Sequence, residues 1–295
     1  MPPASIHAVV LSHAHLDHSG WLPALVKQGF KGPVYASPAT RDLAQVLLLD
    51  SAHLQEEDAR RTNRGGSGDL GRDDDLLMPP PTHIEHADVL LIESTYGNRL
   101  HPVEDVQARL GEIIRATTRR GGSVLLPSFA VGRAQALMLV LQRLKAAGEI
   151  DALLPVFLDS PMATAATALY QRHRRLLRIP GREAATLADG VTLVATPAES
   201  AGLTRSRWPK VVISASGMAT GGRVLHHLKA MAPNPRNAIE FPGFQVGGTR
   251  GAALIAGACE VKIHGEYVAV KAQVSHLEGF SGHADGRSRW LTPAT

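Results

Sequence analysis

The sequence predicts an α/β fold: a largely parallel sheet with helices packed against it. Short apolar runs rich in Val, Leu and Ile recur along the chain, bounded by Gly or Pro, as strands buried on both faces require. Between them lie segments with helical spacing of apolar residues. Strand-like and helix-like segments alternate, which is the pattern of βα units rather than of an all-β or all-α chain.

In chain order, the predicted strands are Ala8–Ser12, Asp88–Glu93, Ser123–Pro127, Leu154–Leu158, Val191–Ala195 and Val211–Ala215. Ala134, Leu137, Met138, Leu141 and Leu144 recur at steps of three and four, and Gly148 follows, so they form one apolar helix face with a glycine stop. Val224–Lys229 reads as a further helix. Asn63-Arg64-Gly65-Gly66-Ser67-Gly68-Asp69 follows the charged, helical stretch Glu56 to Arg61 and has the composition of a flexible junction. It reads either as an exposed loop or as the scar of a lost segment.

Composition narrows the function classes. The chain has 295 residues, 44% of them hydrophobic and 20% charged, an ordinary globular balance. No apolar stretch reaches the roughly 18 residues of a membrane span, and the start has neither the charges nor the apolar core of a signal peptide. One cysteine, Cys259, excludes an internal disulfide and a cysteine-rich zinc module. A metal site must therefore draw on the 14 histidines and on carboxylates. The expected location is the cytoplasm. Residues 1–100 hold 8 basic and 13 acidic side chains, a net of −5, whereas residues 101–210 hold 15 and 9, a net of +6. An acidic first third suits cations, and a basic middle suits a polyanion such as nucleic acid.

The strongest local signal is Ser12-His13-Ala14-His15-Leu16-Asp17-His18-Ser19-Gly20, where an apolar strand ends and four candidate ligands follow. Alternate positions of an extended segment face the same way, so His13, His15 and Asp17 can converge, while His18 projects differently. Neutral imidazole and carboxylate are good ligands for zinc.

His13-x-His15-x-Asp17-His18 resembles the signature of the metallo-β-lactamase fold, and further residues narrow the resemblance to the β-CASP nucleases. Asp69 in Ser67-Gly68-Asp69 is similar to that family's bridging aspartate. Glu93 in Glu93-Ser94-Thr95-Tyr96-Gly97 resembles its acidic motif A, and His283 in Ser281-Gly282-His283-Ala284-Asp285 its motif B. Pro127-Ser128-Phe129-Ala130-Val131-Gly132-Arg133, Asp159-Ser160-Pro161-Met162 and Ser214-Ala215-Ser216-Gly217-Met218-Ala219-Thr220-Gly221-Gly222-Arg223 resemble the bacterial RNA-processing branch.

The resemblance implies a metallo-β-lactamase-type αββα domain split by an inserted β-CASP α/β domain. Residues 1–97 and 279–295 would form the first and 98–278 the second, which would cap the metal site. It implies two zinc ions: His13 and His15 serve one, Asp17 and His18 the other, and Asp69 bridges them. Asp17, Glu93 and His283 would be catalytic. His283 would protonate or stabilise the leaving oxygen, and Glu93 would orient it. Ser128, Arg133, Ser216, Gly221, Gly222 and Arg223 would contact phosphates of single-stranded RNA, through backbone N–H groups at strand-to-helix turns and the arginine forks. No membrane partner is implied, and homodimerisation is left open.

The sequence also departs from the family. The strand and aspartate motif that precede the histidine cluster have no counterpart before His13. A zinc-binding histidine that the family carries before its bridging aspartate is missing from the Gly65–Gly68 interval. The last ligand, in a His-Gly-Glu motif after motif B, has no equivalent before Thr295. His264-Gly265-Glu266 has those letters but precedes motif B, and so is excluded by order. His226 and His227 read as surface or packing residues. The expected function is a zinc-dependent ribonuclease, weaker than an intact relative. The alternatives are an impaired RNA-binding member of the family, or a thioester or lactam hydrolase on the same fold.

Overall fold

The computed structural model describes residues 2–55, 71–81, 96, 98, 100–102 and 104–285. Two units emerge: Met1–Leu100 with His283–Thr295, and His101–Gly282.

In the first unit, β1 (Val9–Val10) leads into α1 (Leu16–Ser19) and α2 (Leu22–Lys27), and β2 (Val34–Tyr35) into α3 (Pro38–Gln55). β1 and β2 pair in parallel, with Val9 opposite Val34. α1 packs on α3, and Ala14, Leu25, Phe30, Ala44 and Leu47 are buried. The sheet itself is sparsely covered, since Val10, Val34 and Tyr35 are all exposed. Near the far end of the chain Asp285 forms an isolated parallel bridge with Tyr96.

The second unit is built on a six-stranded parallel sheet. Its elements are α4 (Val106–Arg119), β3 (Val124–Pro127), α5 (Arg133–Ala146), β4 (Val156–Asp159), α6 (Pro161–Arg172), α7 (Gly181–Ala185), β5 (Val191–Leu193), α8 (Pro197–Arg205), β6 (Val211–Ser214), α9 (Val224–Met231), β7 (Ala238–Phe241), α10 (Arg250–Ile255), the hairpin β8 (Glu260–Ile263) and β9 (Glu266–Ala269), and β10 (Gln273–His276). The strand order is β10-β7-β3-β6-β4-β5. Every residue of β3, β6 and β7 is buried, which is why β3 and β6 read in the sequence as unbroken apolar runs.

Helix starts follow capping chemistry. Asp105 accepts from the Ala108 amide, Ser160 from Ala163, and Thr249 from Ala252. Thr196 and Glu199 form a reciprocal capping box at the start of α8. α5 buries Ala134, Leu137, Met138, Leu141 and Leu144, the face marked by the periodicity. Its Gln135 is also buried, with Nε2 donating to the Ala130 and Ala163 carbonyls and to Thr167 Oγ1.

The topology creates a switch point. From β3 the chain crosses past β6 to β4, and from β6 it crosses back past β3 to β7. Adjacent strands whose connections leave in opposite directions open a crevice at their carboxyl ends, where α/β sheets take ligands.

Candidate active site

In the first unit the strand end delivers a tight histidine cluster. His15 caps α1, and its carbonyl accepts from the His18 and Ser19 amides. Ser19 Oγ, fully buried, donates to the Ala14 carbonyl at 2.8 Å and so closes the loop from behind. His13 Nε2 and His15 Nδ1 stand 3.1 Å apart. Ser12 Oγ lies 3.2 Å from His13 Nδ1, on the other side of that ring. The His18 ring centroid is 4.1 Å from that of His13, and the His15 centroid 4.8 Å.

Two nitrogens on one tetrahedral zinc, each at about 2.0–2.1 Å, lie about 3.3 Å from each other, so the His13–His15 spacing suits a shared ion. Nitrogen donors of this kind suit zinc and other first-row divalent metals. Among the described residues no group of three or more His, Cys, Asp or Glu is disposed to hold a metal. The Asp17 side chain and Asp69, expected as ligands, and Glu93, expected as a catalytic residue, lie outside the described residues. Asp17 itself falls in α1. His283 lies next to Ala284 and the bridged Asp285, with its ring centroid 6.2 Å from that of the buried Tyr96.

In the second unit, the predicted phosphate-contacting residues sit on the two loops at the switch point. Ser128 follows β3, and its amide donates to the Ser214 carbonyl at 2.9 Å, carrying the β3–β6 pairing beyond the strand. Its hydroxyl is buried and donates to the Phe129 carbonyl. Ser216 follows β6, half-buried, with Oγ 3.0 Å from Thr220 Oγ1. The loops touch: a Cβ on Gly217 would stand 3.0 Å from the Phe129 amide nitrogen. Gly222 has φ +77°, and a Cβ there would stand 3.1 Å from the Ala215 carbonyl oxygen. A side chain at Gly217 would crowd the Phe129 backbone, and at Gly222 the positive φ would strain any L side chain as well. Arg133 opens α5, beside Gly243.

Arg223 behaves differently from the expected phosphate fork. Its Nη1 donates to Asp159 Oδ1 at 2.7 Å and to the Val194 carbonyl, and its Nη2 donates to the Ala195 carbonyl. The fork thus ties the ends of β4 and β5 to the start of α9. Asp159 is fully buried and also meets His227 Nε2 at 2.6 Å and accepts from Ser200 Oγ at 2.5 Å. His227 Nδ1 lies 3.2 Å from Thr204 Oγ1. Burial raises the Asp159 pKa, but the hydrogen bonds from His227, Ser200 and Arg223 outweigh it and hold the carboxyl below its ordinary range. His227 is accordingly a buried network member, whereas His226 is exposed. Sequence reasoning missed this network because its members are far apart in the chain; Asp159, Arg223 and His227 were each visible, but no local pattern linked them.

Comparison with known proteins adds an independent line. A family model for the metallo-beta-lactamase superfamily matches residues 1–95, and one for the Beta-Casp domain matches residues 134–254. Ribonuclease TTHA0252 of Thermus thermophilus is 36% identical over 350 aligned positions, which cover 98% of this chain and 79% of that protein. Transcription termination factor FttA of Pyrococcus abyssi is 32% identical, over 96% of this chain and 54% of its own length. The FttA of Methanocaldococcus jannaschii is 30% identical, over 95% and 55%. The chain thus spans about half the length of these FttA relatives. The 350 positions aligned with the Thermus protein exceed the 295 residues available, so at least 55 of them face a gap in this chain.

Proposed function

Because this chain belongs to the β-CASP family within the metallo-β-lactamase superfamily, a family of metal-dependent hydrolases, we propose that it hydrolyses phosphodiester bonds of single-stranded RNA with the aid of two zinc ions. The observation that carries this reading is the approach of His13 Nε2 to His15 Nδ1 at 3.1 Å beside His18, in a chain 36% identical to a protein named a ribonuclease.

In this reading His13 and His15 would serve one ion and Asp17 and His18 the other, with Asp69 as a shared ligand. Held there, such a pair would supply water activation and charge neutralisation at the phosphodiester. His283 supplies a proton to the leaving oxygen, and Glu93 orients that oxygen. In the second unit the backbone N–H groups of Ser216, Gly221 and Gly222, with the Arg133 guanidinium, engage backbone phosphates, whereas the Ser128 N–H is already bonded to the Ser214 carbonyl and holds the loop. Arg223 positions the loop rather than the substrate, since its fork is already bonded to Asp159 and two carbonyls. Residues 1–97 and 279–295 form the metal-bearing domain and 98–278 the inserted one. The setting is the cytoplasm. Among the described residues no helix is long and apolar enough to cross a membrane.

A second reading, an impaired nuclease that retains RNA binding, is favoured by the 55 or more alignment positions without a counterpart here. A ligand histidine absent from the Gly65–Gly68 interval would loosen the geometry of its ion, and misplacement by about 1 Å costs on the order of a hundredfold in rate. The deciding experiment assays labelled single-stranded RNA with added zinc or manganese beside a His13→Ala control, after metal analysis of the purified chain. Cleavage that disappears in the control supports the nuclease. Two bound zincs with slow cleavage support the impaired form. No bound metal and no cleavage overturn the hydrolase reading.

A further inference from the structure

α8 and α9 lie side by side, and between them runs a groove of about 360 Å³. Pro197 and Ala201 of α8 give it apolar walls, Thr204 and Arg205 line it further along, and Arg223 and His226 line the α9 side. Pro197 follows β5 closely and Arg223 precedes α9 directly after the β6 loop. This end of the groove therefore shares the carboxyl edge of the sheet with the switch-point loops.

The charges around the groove are unbalanced. Each nearby acid is already engaged: Glu199 accepts the Ala195 and Thr196 amides of its capping box, Asp159 is held by Arg223, His227 and Ser200, and Glu266 pairs with Lys229 at 2.8 Å. Arg205 is exposed and has no hydrogen-bond or ion-pair partner among the described residues. The groove thus presents a guanidinium with no internal anion.

Beside it stands a ring platform. The His226 and His264 ring centroids are 4.7 Å apart, and both residues are exposed. His264 (φ +49°) and Gly265 (φ +84°) form the tight turn between β8 and β9, and the Glu266–Lys229 pair fastens that hairpin to α9. His264-Gly265-Glu266, excluded from the metal site by its order in the chain, has a use here: it holds a second ring against the first. Partial desolvation, with His264 and His227 close by, lowers the His226 pKa and so favours its neutral form.

We propose that the α8–α9 groove is an accessory track for single-stranded RNA, seating one nucleotide with its base on the His226–His264 rings and its phosphate on Arg205. This rests on the RNA reading above and extends it to residues outside the cleavage chemistry. Stacking platforms beside unpaired cations are the general means of holding a single strand.

The test uses the full chain and a fluorescein-labelled oligouridylate of about 12 nucleotides, with binding followed by anisotropy across a salt series. Arg205→Ala should weaken binding roughly three- to tenfold and lower the slope of log K against log salt by about 0.7, the share of one phosphate contact on a single strand. His226→Ala should weaken binding at least about fivefold and leave the slope unchanged. Crosslinking of 4-thiouridine RNA to the unaltered chain should map to the peptides carrying Arg205, His226 or His264, a readout that needs no variant to fold. Variants that bind like the parent, or crosslinks confined to other peptides, overturn the groove and leave the RNA reading standing. A parent chain with no affinity for the RNA overturns both.

Discussion

Asp285 pairs with Tyr96 in a parallel bridge, joining the motif-B segment to the end of the motif-A segment although they come from distant parts of the chain. The Tyr96 ring is 3% exposed and faces the His283 ring at a centroid distance of 6.2 Å. The position of His283 therefore depends on a packed aromatic as well as on backbone pairing. Tyr96→Ala should destabilise the first unit by about 3 kcal/mol or more, since a large buried side chain is lost and a cavity remains. Urea unfolding followed by a probe in that unit checks this. Under the proposed proton-donor role of His283, RNA cleavage should fall more than binding, because the Tyr96 ring packs 6.2 Å from it.

Ser19 offers a more selective probe. Its hydroxyl donates to the Ala14 carbonyl within the loop that carries His13, His15 and His18. Ser19→Ala leaves that carbonyl without this donor, at a cost of about 1–3 kcal/mol. The loop then holds its imidazoles less firmly, and affinity for a divalent metal should fall about tenfold. Competition with a chromophoric chelator measures the affinity, and thermal unfolding without metal measures the stability. Unchanged affinity with reduced stability would separate the scaffold from the ligand set.

What the sequence disclosed followed from local physics. β3 and β6 were legible because strands buried on both faces are unbroken apolar runs, and α5 because its buried face repeats at helical spacing. β7 was hidden because Glu240 interrupts its run, and β10 because Gln273-Val274-Ser275-His276 is a polar strand on the sheet edge. In the site, the histidine cluster was visible because its members are close in sequence. The internal use of Arg223 was not, because Asp159 lies sixty-four positions away and no local pattern links them.

Asp159 is a test of that hidden network. Its carboxylate is fully buried between Arg223, His227 and Ser200. Asp159→Asn removes the charge and leaves Arg223 facing a neutral amide, which should cost about 3 kcal/mol or more. Because the folded pKa is lowered, the carboxylate's stabilisation is complete above its ordinary unfolded value of 3.8 and is lost as pH falls through the lower folded value. Acid unfolding of the parent should therefore be steep below about pH 4 and shallower in the variant. Under the proposed phosphate contacts of Ser216, Gly221 and Gly222, the affinity for RNA should fall as well, because Arg223 follows these residues directly and its fork ties that point to Asp159.

Glu240 should act in the opposite direction and over another range of pH. It is fully buried on β7, with Oε2 accepting from Ser275 Oγ at 2.6 Å and Oε1 without a partner among the described residues. Burial raises its pKa from 4.5 to about 7, against the weaker opposing effects of the Ser275 hydrogen bond and of Arg109 and Arg120. The unfolded chain releases this proton near 4.5 and the folded chain near 7. The contribution to stability is therefore complete below about pH 4.5, declines between there and about 7, and is flat beyond, a total of about 3 kcal/mol at 1.36 kcal/mol for each unit. Glu240→Gln keeps the shape and removes the titration. Urea midpoints between pH 5 and 8 should slope downward for the parent and run flatter for the variant. If the two profiles run parallel, the proton does not reside on Glu240, and the carboxylate is charged within the sheet at neutral pH.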